Sequence, residues 1–252
     1  VGSYYKGEHL NDIWGLTTIG IAKSQEEMDA HLAKVDQSSV GTNWGVGDIM
    51  YADLDGDGKI SNGTNKLGDT GDYRIIGNST PRFKYGITLD AAWKGFDFSI
   101  FMQGIGKRDL WLDGCYFWGA NGQGNEWQST GFAEHWDFFR PEGDPLGANL
   151  NSYYPRVNFS GDRNTKVQTR YLQNGAYLRL KNVQLGYTLP RVWTEKAGIS
   201  SVRVYVSGDN LATITSLSKI FDPEATGSLA GTGSGKLYPL QRVISVGVNV
   251  NF

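Results

Sequence analysis

The sequence has 252 residues, with 24 Lys and Arg against 26 Asp and Glu, for a formal charge of -2. That near balance gives no footprint for nucleic acid and excludes a polybasic membrane-surface protein. Its 34 glycines and 13% aromatic residues, with 20% charged residues, suit β-strands joined by many loops and exclude a helix bundle, which wants Ala, Leu, Glu and Lys.

The single cysteine, Cys115, excludes an internal disulfide and a Cys-based zinc site. The three histidines, His9, His31 and His135, form no HExxH motif, and there is neither a GxSxG elbow nor a phosphate-binding glycine loop. An enzyme is therefore not expected. No apolar run approaches the roughly 18 residues of a transmembrane helix. The chain starts Val1-Gly2-Ser3, without Met or a leader, and reads as a piece of something longer.

In chain order, the first strand candidate is a weak one at 11–21. Segment 22–81 reads as a long loop. It opens with Ser24-Gln25-Glu26-Glu27, a capping box ahead of Met28 and Leu32, and hence a short helix. Further along, Asp53-Leu54-Asp55-Gly56-Asp57-Gly58-Lys59-Ile60 has the form of a calcium loop. Carboxylates at positions 1, 3 and 5 converge on a hard cation, a glycine at 6 permits the sharp turn, and the carbonyl of residue 7 adds an oxygen. Those are Asp53, Asp55, Asp57, Gly58 and Lys59. Position 12 is Thr64 rather than Glu, so the closing carboxylate must come from Asp69 or Asp72. The expected role of Ca2+ is structural.

Strict alternation then begins. Phe83, Tyr85, Ile87, Leu89, Ala91 and Trp93 share one face of a strand at 82–93. A tight turn at Lys94-Gly95 leads to a strand at 95–106, with Phe96, Phe98, Ile100 and Met102 on the apolar face. Loop 107–170 is rich in aromatics, among which Trp111, Tyr116, Trp118 and Trp127 are candidates for touching a substrate or a partner. Gly131 to Phe139 reads as a short helix with Phe132, Trp136 and Phe139 on one packed face.

Strands follow at 175–189, 201–214 and 241–252, separated by a short link after Pro190 and a loop at 216–240. In the last strand Ile244, Val246, Val248, Val250 and Phe252 alternate with Ser245, Gly247, Asn249 and Asn251. Arg179 and Lys181 break phase with the apolar Val183. Because a charge at a bilayer midplane costs about 2–4 kcal/mol, either they sit at the interface or a bulge resets the phase.

About six antiparallel strands alternate with short and long connections, as in outer-membrane barrels with short periplasmic turns and long extracellular loops. Aromatics gather at the short-turn ends (Trp93, Phe96, Tyr187, Trp193 and Phe252), where an interfacial girdle belongs. Asp90, Asp97, Gln103, Gln184, Arg203, Asp209, Asn249 and Asn251 fall on the opposite, lumenal face. The competing expectation is a secreted, calcium-stabilised glycan-binding β-domain.

Blocks at Gly47 to Ile60, Asp72 to Gly86, Trp93 to Asp97, Phe101 to Gly104, Tyr177 to Pro190 and Val204 to Leu211, in that order and ending on Phe252, resemble the C-terminal third of the SusC/RagA family of TonB-linked outer-membrane transporters of Bacteroidetes. The resemblance implies an all-β fold, the C-terminal part of a transmembrane barrel of about 22 strands with a plugged lumen. The plug, the TonB-contacting segment and the other strands are then absent from this sequence. It further implies a Gram-negative outer membrane, import of oligosaccharides or peptides, a SusD-like surface lipoprotein as lid, and Phe252 as the signal read during barrel assembly.

Overall fold

A computed structural model describes residues 7–122, 131–226 and 238–252. The strands are β1 (Asp12–Gly15), β2 (Thr18–Ile21), β3 (Ile49–Tyr51), β4 (Arg74–Asn78), β5 (Arg82–Trp93), β6 (Phe96–Lys107), β7 (Asp109–Leu110), β8 (Gln173–Asn174), β9 (Tyr177–Thr188), β10 (Ser201–Thr215) and β11 (Val243–Asn251). Two compact units form. A sheet unit takes in Pro81–Arg108 and Asn174–Ala225 with Tyr238–Phe252. A loop unit draws its described residues from 7–80, 109–122 and 131–173, with Thr226.

The sheet unit is one five-stranded antiparallel sheet in the order β11-β10-β9-β6-β5. The β5–β6 hairpin closes through Lys94 and Gly95, whose φ angles of 48° and 89° are both positive. That is the conformation a two-residue hairpin needs to match the strand twist. The register lines up whole rows. Trp93, Phe96, Tyr187, Val204 and Val248 form one apolar row, and Ala91, Phe98, Leu185, Val206 and Val246 form the next. On the other face, Asp90, Ser99, Gln184, Ser207 and Ser245 form a polar row. The apolar face is uncovered: Val246 is 76% and Trp93 69% exposed. A sheet of this kind in water would bury that face.

The phase break at Arg179 and Lys181 is a bulge. Phe101 pairs with Asn182 but Met102 pairs with Leu180, so Lys181 is the extra residue. The step returns Leu178 and Leu180 to the apolar face and turns Arg179 to the polar one. Beside it β10 also bulges, at Asn210, which takes a left-handed φ of 52°.

The expected strand at 11–21 is corrected. It is two short strands, β1 and β2, which pair with β4 and β3 in the loop unit rather than joining the large sheet. The break falls at Leu16, whose N–H donates to the Val167 carbonyl at 2.8 Å while its side chain is fully buried. The large sheet therefore has five strands among the described residues.

The long loops are not independent excursions. They share a core of Leu16, Ile49, Tyr51, Phe117, Trp118 and Tyr171. Helix α1 (Gln25–Leu32) starts as expected: the Ser24 side chain accepts the Glu27 N–H at 3.2 Å, and Met28 is buried. The return bond runs from the Lys23 N–H to the Glu27 carboxylate, one residue earlier than a capping box places it. The expected helix at Gly131 to Phe139 is only a 3-10 turn at Ala133–Trp136. Phe138 and Phe139 then run beside Tyr154, so Phe139 is buried while Trp136 stays exposed.

Candidate functional site

The acidic loop brings three carboxylates together. One oxygen from each of Asp53, Asp55 and Asp72 lies within 4.8 Å of the other two. Backbone amides position them. Asp53 accepts the Gly56 and Gly58 N–H groups at 2.7 and 2.9 Å, Asp55 accepts the Asp57 N–H at 3.1 Å, and buried Asp72 accepts the Leu54 and Ser61 N–H groups at 2.6 and 2.8 Å. Gly56 and Gly58 take φ near 80°, which keeps the loop tight enough for these contacts.

The charge is concentrated. The Gly58 N–H foremost, with that of Gly56, holds the Asp53 carboxyl below its ordinary value. Asp55 behaves oppositely. The Asp57 N–H acts to lower it, but desolvation and the negative charges of Asp72, Asp57 and Asp53 leave it raised. Proton affinity of this kind is also affinity for a metal cation.

Asp57, expected among the carboxylate ligands, is outside the converging group. Asp57 accepts the Lys59 N–H at 2.9 Å and pairs with its ammonium at 3.7 Å, so it turns toward Lys59. Asp69 is likewise committed elsewhere, accepting the Thr64 N–H at 3.1 Å. Asp72 supplies the third carboxylate.

The aromatic candidates are corrected in part. Trp118 is buried. Its indole N–H donates to the Leu112 carbonyl at 3.1 Å, and its ring lies 4.7 Å from that of Tyr171. It is core and offers no surface to a substrate. Trp111 is half-buried 5.8 Å from Trp118, and Tyr116 is half-buried 5.6 Å from Phe132. Trp127 lies outside the described residues. Burial raises the hydroxyl pKa of both Tyr154 and Tyr171 in the same cluster. The most exposed of the loop's described aromatics is Trp136, with the Arg140 guanidinium 5.7 Å from its ring. Phe252 follows β11 and is 90% exposed.

Sequence reasoning missed the charged hub of the loop unit. Asp48 is fully buried. It receives Arg156 through Nε at 2.8 Å and Nη2 at 2.6 Å, Asn164 at 2.8 Å and the Gly45 N–H at 2.9 Å, with Arg163 at 3.9 Å. Its side-chain partners lie more than a hundred residues away, and short-range patterns carry no signal for that.

On the polar face of the sheet, Arg203 forks onto Asp97 and also reaches Gln184 at 3.1 Å. It crosses β9 at Gly186, where a Cβ would stand 2.5 Å from Arg203 Nη2. Arg179, almost fully buried, donates to Asp222 at 2.7 Å and faces Glu224 at 3.3 Å, and Lys181 reaches Glu224 at 3.0 Å.

No family model matches the chain. Two curated relatives do, both from Formosa agariphila. TonB-dependent receptor P26 is 30% identical over 256 residues, covering 98% of this chain and 23% of the relative. TonB-dependent receptor P3 is 33% identical over 216 residues, covering 82% and 19%. The chain belongs to the TonB-dependent receptors. It spans about a fifth of the length of these receptors, in their C-terminal part. It lies in the outer membrane of a Gram-negative bacterium, as these receptors do, and the relatives it matches are receptors. Solved structures share the fold. The RagAB peptide importer in its open-open state matches with a TM-score of 0.63 at 22% identity, covering 96% of this chain and 22% of that one. The RagAB peptide transporter matches with the same score at 24% identity, covering 96% and 23%. The all-β, antiparallel architecture of a receptor barrel is thus established for this chain.

Proposed function

We propose that the receptor containing this chain is an energy-coupled importer of oligosaccharides or peptides that works with TonB and with a SusD-like surface lipoprotein. The observation that carries the reading is the sheet. One face is a band of exposed and half-buried Val, Ile, Leu, Phe and Trp that no other element covers among the described residues, and the other is largely polar. In lipid no backbone group can stay unpaired, so the free edges of β5 and β11 call for neighbouring strands of the same barrel. The fold shared with RagAB supports a lid lipoprotein. A secreted glycan-binding domain explains neither the uncovered face nor the two free edges. The test is uptake of labelled oligomers by cells carrying the receptor, with and without TonB. Uptake should require both, and uptake that survives loss of TonB refutes the reading.

In this reading Asp53, Asp55 and Asp72 hold a structural Ca2+ that stiffens an extracellular loop. Oxygen donors alone suit a hard cation without redox chemistry. Asp55→Asn, or a chelator on the parent receptor, should speed proteolysis within 53–72. Equal cleavage rates with calcium and with chelator count against the metal. Phe252 serves barrel assembly, so Phe252→Ala should lower the amount of folded receptor in the membrane, and an unchanged amount removes that role.

A further inference from the structure

One end of the sheet's apolar face is hollow. Tyr85, Gly104, Leu178 and Ile214 form a cross-strand row on that face, at the end away from the Lys94-Gly95 turn. The next row toward the turn, Ile87, Met102, Leu180 and Ala212, has a side chain at every position. Gly104 has none, and the Tyr85 ring lies over it: a Cβ there would stand 2.5 Å from Tyr85 Cζ. The Tyr85 hydroxyl donates to the Tyr177 carbonyl at 3.4 Å, which holds the ring down against the sheet.

Beyond this row opens a groove of about 470 Å³, lined by Tyr85, Gly106, Ala176, Leu178, Ile214 and Ser216. Ala176 and Leu178 are half-buried and Ile214 is exposed. Tyr85 of β5 stands on one side, and Leu178 of β9 with Ile214 of β10 on the other. These strands and β6 are hydrogen-bonded neighbours in the order β10-β9-β6-β5. No strand from elsewhere in the receptor can therefore enter between the two walls. The long connections after β6 and β10 leave from this end of the sheet. Long connections mark the extracellular side of a bacterial barrel, so the groove meets the outer leaflet.

We propose that this groove holds one acyl chain of an outer-leaflet lipid. It is continuous with the apolar band of a receptor that lies in the outer membrane. A hydrocarbon chain fills it without needing a hydrogen bond, whereas an irregular protein segment laid there would leave backbone groups unpaired in lipid. A chain between Tyr85 and the Leu178–Ile214 wall makes dispersion contacts on three sides, and one lying on the flat band makes them on one. Ser216, just past the end of β10, offers its hydroxyl to the ester region of the lipid. The inference uses the membrane location and does not depend on what the receptor imports.

The test is photolabelling of the intact receptor in vesicles of a phosphatidylcholine whose acyl chain carries a diazirine, with the labelled residues mapped by peptide mass spectrometry. Leu178 and Ile214 should take about fivefold more label than Ile244, an exposed residue of the same band on β11, as contact on three sides rather than one implies. Ala176→Phe puts a ring into the groove and should bring Leu178 down to the level of Ile244. Ile214→Ala removes one wall at an exposed position and should also lower the label on Leu178. A heat-modifiability gel checks that each variant barrel is folded. Uniform labelling along the band overturns the proposal, as does an enrichment that neither variant reduces. Absence of label from Leu178 and Ile214 also overturns it, because another part of the receptor then fills the groove.

Discussion

Replacing Asp48 by Ala removes the shared counter-charge of Arg156 and Arg163. The carboxylate is fully buried and both its oxygens are in use, three side-chain hydrogen bonds and one backbone N–H converging on it. Removing one partner of a buried pair costs about 3–5 kcal/mol, because the remaining charge is left uncompensated. Arg163 is 9% exposed but Arg156 is 34% exposed and regains some water, which places the cost near the lower end, about 3 kcal/mol. That corresponds to a roughly hundredfold fall in protection against local opening. Hydrogen exchange of peptides spanning Ile49–Tyr51 reads it directly, since the Ile49 N–H is bonded to Asn164, which Asp48 holds. Asp162→Ala is the control. Its pair with Lys166 lies at the surface, with Asp162 66% exposed, and should change protection by less than about threefold. A fall of less than tenfold in Asp48→Ala, or equal falls in the two variants, would refute the view that this hub holds the loop unit together.

Three further outcomes are expected. Gly186→Ala places a methyl group 2.5 Å from Arg203 Nη2 and 2.6 Å from Asp97 Oδ1; pushing the pair apart should cost about 1–3 kcal/mol, read as a lower unfolding temperature of the barrel band on gels, and an unchanged temperature contradicts the geometry. Trp118→Ala should lower the stability of the loop unit by about 3–5 kcal/mol, seen as faster exchange around Leu112 and Tyr171, whereas loss of substrate binding with normal exchange would return Trp118 to the surface role first expected of it. Acidification should loosen 53–72: the Gly58 N–H holds Asp53 low and Thr64 holds Asp69 low, so their contribution is present above about pH 4 and is lost as pH falls through their folded values. Exchange there, corrected for the intrinsic rate, should rise below pH 4, and a flat profile would contradict the assignment.

The sheet was legible because one physical constraint repeats at every second residue. The expected strands 82–93, 95–106, 175–189, 201–214 and 241–252 lie at Arg82–Trp93, Phe96–Lys107, Tyr177–Thr188, Ser201–Thr215 and Val243–Asn251. A face that meets lipid must stay apolar along its whole length, so the pattern survives in the sequence without knowledge of neighbours. The loop unit carries no such constraint. Its short strands pair with segments close in space but scattered in sequence, which is how 11–21 came to be read as part of the wall. Composition could not separate Trp118, which fills the core, from Trp136, which does not. In the acidic loop the glycines fixed the turn, yet whether Asp57 or Asp72 faced inward depended on Lys59 and on the Ser61 amide, two contacts the spacing does not encode.

The bulge at Lys181 serves both faces of the sheet. Without an extra residue there, Leu178 and Leu180 would face the polar side and Arg179 would lie in the apolar band, where a charge costs about 2–4 kcal/mol at the membrane midplane. With it, both leucines return to the band and Arg179 meets Asp222 and Glu224. Asp222 does more than neutralise the arginine. Its second oxygen accepts the Leu240 N–H at 3.0 Å, which ties the chain just ahead of β11 to the same point. The bulge is thus required by the chemistry on both sides of the sheet. The lipid face needs the leucines back in phase, and the polar face needs a cation to hold the carboxylates that pin the connection between β10 and β11. A break in periodicity that reads as a flaw in the strand is the feature that lets one sequence satisfy both.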